Sequence, residues 1–106
     1  MKGTNLGEFQ EIVMLSILLL EKNAYGVTIQ DELDQRMNRK SSRGALQTAL
    51  TRLEEKGLIS SYYGEPTAER GGRRKRYYEV TNSGLATLQD AKELREGMWK
   101  LIPKLS

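Results

Sequence analysis

Cysteine and histidine are both absent from this 106-residue chain. Their absence excludes disulfides, thiolate nucleophiles, Cys/His metal sites and the commonest general base. No pattern in the remaining residues pairs a nucleophile with a base, so we predict that the protein is not an enzyme and uses no metal or cofactor. A chain without cysteine also fits a reducing cytoplasm, which is the location we expect.

A long apolar run is missing as well. The longest candidate covers residues 12–20, and about 20 apolar residues are needed to cross a bilayer. Glu8 and Glu11 precede this run, whereas an export signal has basic residues at that place. We therefore expect a buried helix here, with no membrane partner.

The positive charge is scarce overall but locally concentrated. The net charge of the whole chain is only +3, yet residues 69–76 hold five basic side chains and one acidic side chain. The rest of the chain has a net charge of −1. A patch of this kind favours a polyanionic partner, although a basic run on a solvated loop is the alternative interpretation.

Apolar spacing predicts two helices before residue 40. Asn5 and Glu8 resemble a capping pair, so the first helix is expected to begin near Leu6 and to end at about Lys22. The second is expected at about 27–37. The length of the chain allows one domain, since domains typically have about 100–150 residues.

A third helix follows Ser42, a favourable N-cap, and ends at Gly57, which can adopt a left-handed conformation. Its inward face consists of Leu46, Ala49, Leu50 and Leu53. The opposite face is polar or basic, and its only carboxylates, Glu54 and Glu55, are interpreted as salt-bridge surface. Such a face is typical of a recognition helix that enters a DNA groove, and ordinary helix surface is the alternative. The candidate DNA contacts here are Arg39, Lys40, Ser42, Arg43, Gln47, Thr48, Thr51 and Arg52.

Two tyrosine-rich segments, 60–64 and 75–80, predict antiparallel strands joined by a basic, glycine-containing loop. In each tyrosine pair, one ring is expected to pack on the core and the other to face solvent or phosphate. This hairpin matches the wing of a winged helix. The candidate DNA contacts in the wing are Arg70, Arg73, Arg74, Lys75 and Arg76.

A final helix is predicted from Thr81, its N-cap, to about Ile102, just before Pro103. About 20 helical residues span roughly 30 Å, which is more than a small winged domain can cover. We expect the excess apolar surface to pack against a second copy of the chain, giving a two-fold homodimer. The predicted dimerisation residues are Leu85, Leu88, Leu94, Met98, Leu101 and Ile102. Trp99 is interpreted as dimer core, with the wall of a ligand pocket as the alternative.

The predicted fold class is mainly α with a small β-hairpin. Residues 1–81 are expected to form a winged helix-turn-helix, and residues 82–106 a C-terminal dimerisation helix within the same compact unit.

In several segments the sequence resembles the PadR family of bacterial transcriptional regulators, in its short form with a single C-terminal dimerisation helix. The segments that carry the resemblance are Tyr25-Gly26, Gly44-Ala45-Leu46, Arg52-Leu53-Glu54, Gly57-Leu58-Ile59, residues 71–78, Val80-Thr81 and Gly84, and the resemblance as a whole covers roughly residues 6–90. The resemblance implies a dimeric repressor that leaves DNA on binding a small-molecule effector or another signal. Family members often carry an aromatic residue at the position of Gln47 and a proline near Thr48, and here the glutamine is predicted to contact adenine instead.

The sequence thus predicts a sequence-specific regulator that binds double-stranded DNA at an inverted-repeat operator. The alternative is a winged-helix adaptor that binds other proteins and not DNA. A recognition surface that is polar and basic favours DNA, because an adaptor surface would be apolar or acidic.

Overall fold

The computed structural model describes residues 6–65 and 74–104. Within these residues it contains four α-helices and one antiparallel hairpin. In chain order they are α1 (Glu8–Leu20), a short 3-10 turn (Glu21–Asn23), α2 (Gly26–Met37), α3 (Arg43–Glu55), β1 (Ile59–Tyr63), β2 (Arg76–Val80) and α4 (Asn82–Lys100). This arrangement is a winged helix-turn-helix followed by a long helix, which confirms the predicted fold class.

The start of α1 differs from the prediction. Gly7 is the N-cap and Glu8 is the first helical residue, so Glu8 is too early in the helix to complete the predicted capping pair. Asn5 lies outside the described residues. The other predicted starts are confirmed: Ser42 accepts a hydrogen bond from the Ala45 amide, and Thr81 accepts one from the Gly84 amide, each at 3.0 Å.

All four helices and the hairpin contribute to one core. Leu46, Leu50 and Leu53 of α3 are buried, as their spacing predicted. Burying a leucine fully contributes about 1.5–3 kcal/mol, so these side chains hold α3 firmly in one rotation. The other buried core residues are Val13, Met14 and Ile17 from α1, Ala24 just before α2, Ile29 and Leu33 from α2, Ala49 from α3, Leu58, Ile59 and Tyr78 around the hairpin, and Leu88 from α4.

The hairpin pairs in a register that places alternate residues on two faces. The cross-strand partners are Ile59 with Val80, Ser60 with Glu79, Ser61 with Tyr78, Tyr62 with Tyr77 and Tyr63 with Arg76. Tyr78 is buried, but Tyr62 and Tyr63 are both exposed. The prediction of one core tyrosine per pair is therefore right for β2 and wrong for β1, because Ile59 already fills the core position at the start of that strand.

Gly84 marks the place where α4 crosses the core most closely. A Cβ atom at this position would lie 2.1 Å from the Leu58 carbonyl oxygen and 2.8 Å from Val80 Cγ1. The Leu58 carbonyl also accepts the Thr81 amide at 3.0 Å, so it cannot easily move away. Only glycine fits between α4 and the chain entering β1.

We expect Gly84→Ala to destabilise the protein by about 1–3 kcal/mol, because the added methyl group overpacks this crossing. The measurement is urea unfolding followed by circular dichroism. Gly97→Ala is the matched control, since Gly97 is in the same helix and a Cβ atom added there would meet nothing within 4 Å. The control should be stabilised by about 0.5–1 kcal/mol through helix propensity, and equal midpoints for the two variants would contradict the packing argument.

Candidate nucleic-acid interface

Helix α3 presents one polar face to solvent because its apolar face is buried. Arg43, Gln47, Thr48, Thr51 and Arg52 are all exposed on it. The Gln47 Nε2 group donates to Thr51 Oγ1 over a long 3.4 Å. This contact is weak enough to be exchanged for a hydrogen bond to another molecule. The exposed face can therefore donate and accept hydrogen bonds at successive turns.

The turn between α2 and α3 is held by Asp34. Its carboxylate accepts hydrogen bonds from the Ser41 amide at 3.0 Å and from Ser41 Oγ and Gln30 Nε2 at 3.3 Å each. Gln30 Nε2 lies still closer to Ser41, at 2.7 Å from its hydroxyl oxygen. Asn38 takes a left-handed conformation with φ of 53° and ends α2. Together these contacts fix the direction in which α3 leaves the turn, next to the exposed Arg39 and Lys40.

The hydrogen bond from the Ser41 amide lowers the pKa of Asp34 below its ordinary value of 3.8, and the bonds from Gln30 and the Ser41 hydroxyl act in the same direction. The folded state therefore favours the charged carboxylate. This contribution to stability is present above pH 3.8 and is lost as the pH falls through the lower, folded-state pKa.

An open cavity of about 410 Å³ lies between the start of α2, the exposed face of α3 and the base of the wing. Basic side chains reach it from two elements: Arg43 from α3, and Arg74, Lys75 and Arg76 from the wing. Gln47 also lines it. A concave surface with several cations and few carboxylates suits a polyanion. The described lining residues are Tyr25, Gly26, Val27, Gln30, Asp31, Arg43, Leu46, Gln47, Leu50, Arg74, Lys75, Arg76 and Tyr78.

Aromatic rings attach the wing to the start of α2. Tyr25 forms an isolated antiparallel bridge with Tyr77, and their ring centroids are 5.6 Å apart in an edge-to-face arrangement. Tyr62 stacks on the other side of Tyr77 at 5.7 Å. Lys75 Nζ lies 4.3 Å from the Tyr25 ring centroid. Burial in this region raises the pKa of Tyr78, so that phenol stays neutral at any physiological pH.

Arg76 is held by a second set of contacts, on the face of the hairpin that meets α3. Its guanidinium donates to Glu54 Oε1 at 2.9 Å and to Ser61 Oγ at 3.0 Å. Ser61 Oγ donates to Glu54 Oε2 at 2.7 Å, which closes a three-residue ring. The Tyr63 ring centroid lies 5.9 Å from the same guanidinium. Glu54 is thus salt-bridge surface, as its position in the sequence indicated.

Six of the thirteen predicted contact residues line this cavity or the depression beside it. Arg43, Gln47, Arg74, Lys75 and Arg76 share the 410 Å³ cavity. Thr51 meets Gln47 and Arg76 in a neighbouring depression. Ser42 is occupied in capping α3, and Arg70 and Arg73 lie outside the described residues.

Sequence reasoning missed the contribution of α2 to this surface. Tyr25, Val27 and Asp31 line the cavity from the side opposite α3. In the sequence, the Tyr25-Gly26 pair indicates only the family resemblance. Its role depends on the bridge between Tyr25 and Tyr77, and no local pattern indicates a pairing between residues 52 positions apart.

Helix α4 is half core and half exposed surface. Leu88 and Ala91 are buried in their own chain, and Arg95 forms an ion pair with Glu11 of α1. This corrects the assignment of Leu88 to a dimer interface, because the first turns of α4 pack on α1 and the hairpin. The other predicted dimerisation residues, Leu85, Leu94, Met98, Leu101 and Ile102, are exposed, as is Trp99.

A second exposed apolar patch lies on α1, where Leu15, Leu18 and Leu19 face solvent. The sequence showed that this helix is apolar around most of its circumference but not which face is left uncovered.

In the part of the chain that the structure describes, every helix is too short or too polar to cross a bilayer. No group of three metal-ligating side chains gathers within residues 6–65 and 74–104.

We expect Asp34→Asn to reduce the acid sensitivity of the fold. The substitution keeps an acceptor oxygen but removes the charge that the folded state favours, so its destabilisation should be largest at pH 6 and smallest at pH 3. Urea unfolding at both pH values measures this. Asp31→Asn, on the same helix, is the control, and an equal pH dependence of the two variants would exclude the role of the Ser41 hydrogen bonds.

Comparison with known proteins assigns the family. The PadR-like family of transcriptional regulators matches residues 14–90. An uncharacterised protein of Lysinibacillus sphaericus is 39% identical over 75 residues, which are 69% of this chain and 66% of that protein.

Solved structures agree with this assignment. A transcriptional regulator from Clostridium thermocellum is 30% identical with a TM-score of 0.68, covering 91% of this chain and 88% of its own. A PadR family regulator from Clostridium difficile is 32% identical with a TM-score of 0.59, covering 91% and 92%. A PadR-like regulator from Bacillus cereus shares the fold at 21% identity and a TM-score of 0.72, covering 92% and 89%. The chain therefore belongs to the PadR-like family, whose members are transcriptional regulators and not enzymes.

Proposed function

We propose that this protein is a homodimeric, sequence-specific DNA-binding repressor. The observation that carries the proposal is the shared cavity, where Arg43 and Gln47 of α3 meet Arg74, Lys75 and Arg76 of the wing. Recognition of duplex DNA needs groups that read base edges beside groups that bind phosphates. Both kinds of group are present on one surface here.

In this proposal α3 enters the major groove. Gln47, Thr48 and Thr51 point away from the core and contact base edges. Glutamine can form a bidentate pair with adenine, which provides about 1–3 kcal/mol of discrimination. The weak 3.4 Å contact between Gln47 and Thr51 is then exchanged for hydrogen bonds to DNA. Arg39, Lys40, Arg43 and Arg52 flank this row and bind phosphates.

The wing then follows the adjacent backbone or minor groove. Arg74 and Lys75 are at its described base, and Arg70 and Arg73 extend the same basic run in the sequence. Arginine suits this task because its planar guanidinium forms paired hydrogen bonds with phosphate oxygens. The wing contributes affinity for DNA of any sequence, while α3 contributes selectivity.

Dimerisation would place two copies of α3 on one face of the DNA. The end of α4 projects beyond the winged domain, and the longest dimension of the chain is 57 Å against 28 and 22 Å for the others. Leu101 is 81% exposed and Trp99 56%. A second copy would cover these residues together with the exposed leucines of α1. Residues 82–106 thus act as the dimerisation segment and residues 1–81 as the DNA-binding unit.

A two-fold dimer reads an inverted repeat, with half-sites separated by about one helical turn, roughly 34 Å. The affinity of such a repressor for its operator changes when a signal changes the distance between the two α3 helices. We propose that a small-molecule effector or another signal alters the angle between the two α4 helices, and that Trp99 lines the place where it acts. Regulation then proceeds through the dimer interface and leaves the DNA-contacting side chains unchanged.

Replacing Arg73 and Arg74 together by alanine should weaken binding to all duplex sequences. Loss of two phosphate contacts should also make the slope of log K against log salt concentration shallower by about two units, at about 0.9 per phosphate. Fluorescence anisotropy between 50 and 200 mM salt measures both quantities on labelled duplex.

Two variants make this experiment specific. Lys22→Ala with Lys92→Ala removes the same charge away from the cavity and should leave the salt slope nearly unchanged. Gln47→Ala should change the sequence preference and keep the slope. Salt-independent behaviour of the wild type, or equal affinity of the wild type and the wing variant, would favour the protein-binding adaptor.

Met98→Glu should dissociate the dimer, because it places a carboxylate in the apolar stripe at the end of α4. Sedimentation velocity should show the mass of one chain, and the fluorescence of Trp99, the single tryptophan, should shift to longer wavelength. Ala86→Glu, at an exposed position outside the stripe, should remain dimeric. A monomeric wild type would remove the basis for the two-fold arrangement.

A further inference from the structure

Glu54 stands out because it is the carboxylate that contacts both strands of the wing from α3. One of its oxygens lies 2.9 Å from the Arg76 guanidinium on β2, and the other accepts the Ser61 hydroxyl of β1 at 2.7 Å. Arg76 and Ser61 are themselves joined at 3.0 Å. A carboxylate on a helix that faces DNA repels phosphate. Glu54 must therefore have a structural role that offsets this repulsion.

We propose that Glu54 is a positioning residue that sets the wing at the angle to α3 required for simultaneous contact with a groove and its backbone. The inference rests on the proposed DNA-binding function. In this inference, the main role of Arg76 is to fix the base of the wing, and contact with phosphate is secondary. Arg74 and Lys75, which directly precede β2, then become the described cations of the wing that are available to DNA.

The geometry supports this assignment over simple charge pairing. An exposed ion pair between two flexible side chains contributes little to stability, and the Arg76 and Glu54 side chains are 42% and 34% exposed. The closed ring, however, restricts three side chains at once, one from each of α3, β1 and β2. The register pairs Ser61 with the buried Tyr78, so the ring lies directly over the point where the hairpin joins the core. The flanking rings of Tyr63 and Tyr78, at 5.9 and 5.5 Å from the guanidinium, further limit its movement.

The test compares Glu54→Gln with Glu55→Gln. Both remove one negative charge from the last turn of α3, but Glu55 is an exposed residue outside the ring. A glutamine at position 54 removes the negative charge of the ring and must turn its amide donor toward Arg76 or toward Ser61 Oγ, so the charge-assisted hydrogen bonds to the carboxylate are weakened or lost. With a duplex selected by the wild type from a random library, we expect about fivefold weaker binding for Glu54→Gln. Glu55→Gln should bind at least as tightly as the wild type, because it only removes repulsion.

Nuclear magnetic resonance provides a readout that does not require DNA. The Nε–H signal of Arg76 should exchange slowly with water in the wild type and in Glu55→Gln, and it should exchange rapidly in Glu54→Gln. If the wild type selects no duplex, the proposed function fails, whereas this signal still shows whether Glu54 holds the wing.

A second variant covers the case in which Glu54→Gln does not fold. Ser61→Ala removes the shared hydroxyl and keeps both charges, and we expect about twofold weaker binding with unchanged salt slope. Urea midpoints of the variants should stay close to that of the wild type, since the side chains of the ring are only partly buried. Equal changes in affinity for Glu54→Gln and Glu55→Gln, or the same Arg76 exchange rate in the wild type and Glu54→Gln, would overturn the proposal.

Discussion

Burial of one face of α3 is the constraint on which the other features depend. Leu46, Leu50 and Leu53 lock the rotation of this helix in the core, so Gln47 and Thr51 must face outward. The helix start is fixed independently, by the Ser42 cap and by the Asp34 contacts to the preceding turn. Recognition of a regular DNA groove requires a row of polar side chains on a helix whose rotation and first residue are both fixed.

The wing is attached to α3 on one face and to the start of α2 on the other, by contacts of different chemistry. On one face Tyr78 is buried and the ring of Glu54, Ser61 and Arg76 lies beside it. On the other face Tyr25, Tyr77 and Tyr62 form a row of aromatic contacts. Two rigid attachments allow a small hairpin, which would be marginal by itself, to hold cations at a defined place next to α3.

Helix α4 combines two tasks along its length. Its first turns complete the core, and Gly84 permits the crossing with the chain at Leu58. Its last turns carry exposed apolar residues that the winged domain does not reach. A continuous helix transmits a change at one end to the other, because bending it breaks backbone hydrogen bonds. This continuity makes α4 a suitable lever between the proposed dimer interface and the proposed DNA-binding unit.

The sequence by itself determined the element order, the inward face of α3, the caps at Ser42 and Thr81, and the basic character of the wing. These properties depend on periodicity and on contacts within about four residues, which are visible in the order of the residues alone. Tertiary structure alone decided that Leu88 is core, that both tyrosines of β1 are exposed, and that Tyr25 and Glu54 contact the wing. Each of these depends on contacts between residues distant in the sequence, such as Glu54 with Arg76, or on which of several apolar side chains fills a limited core volume.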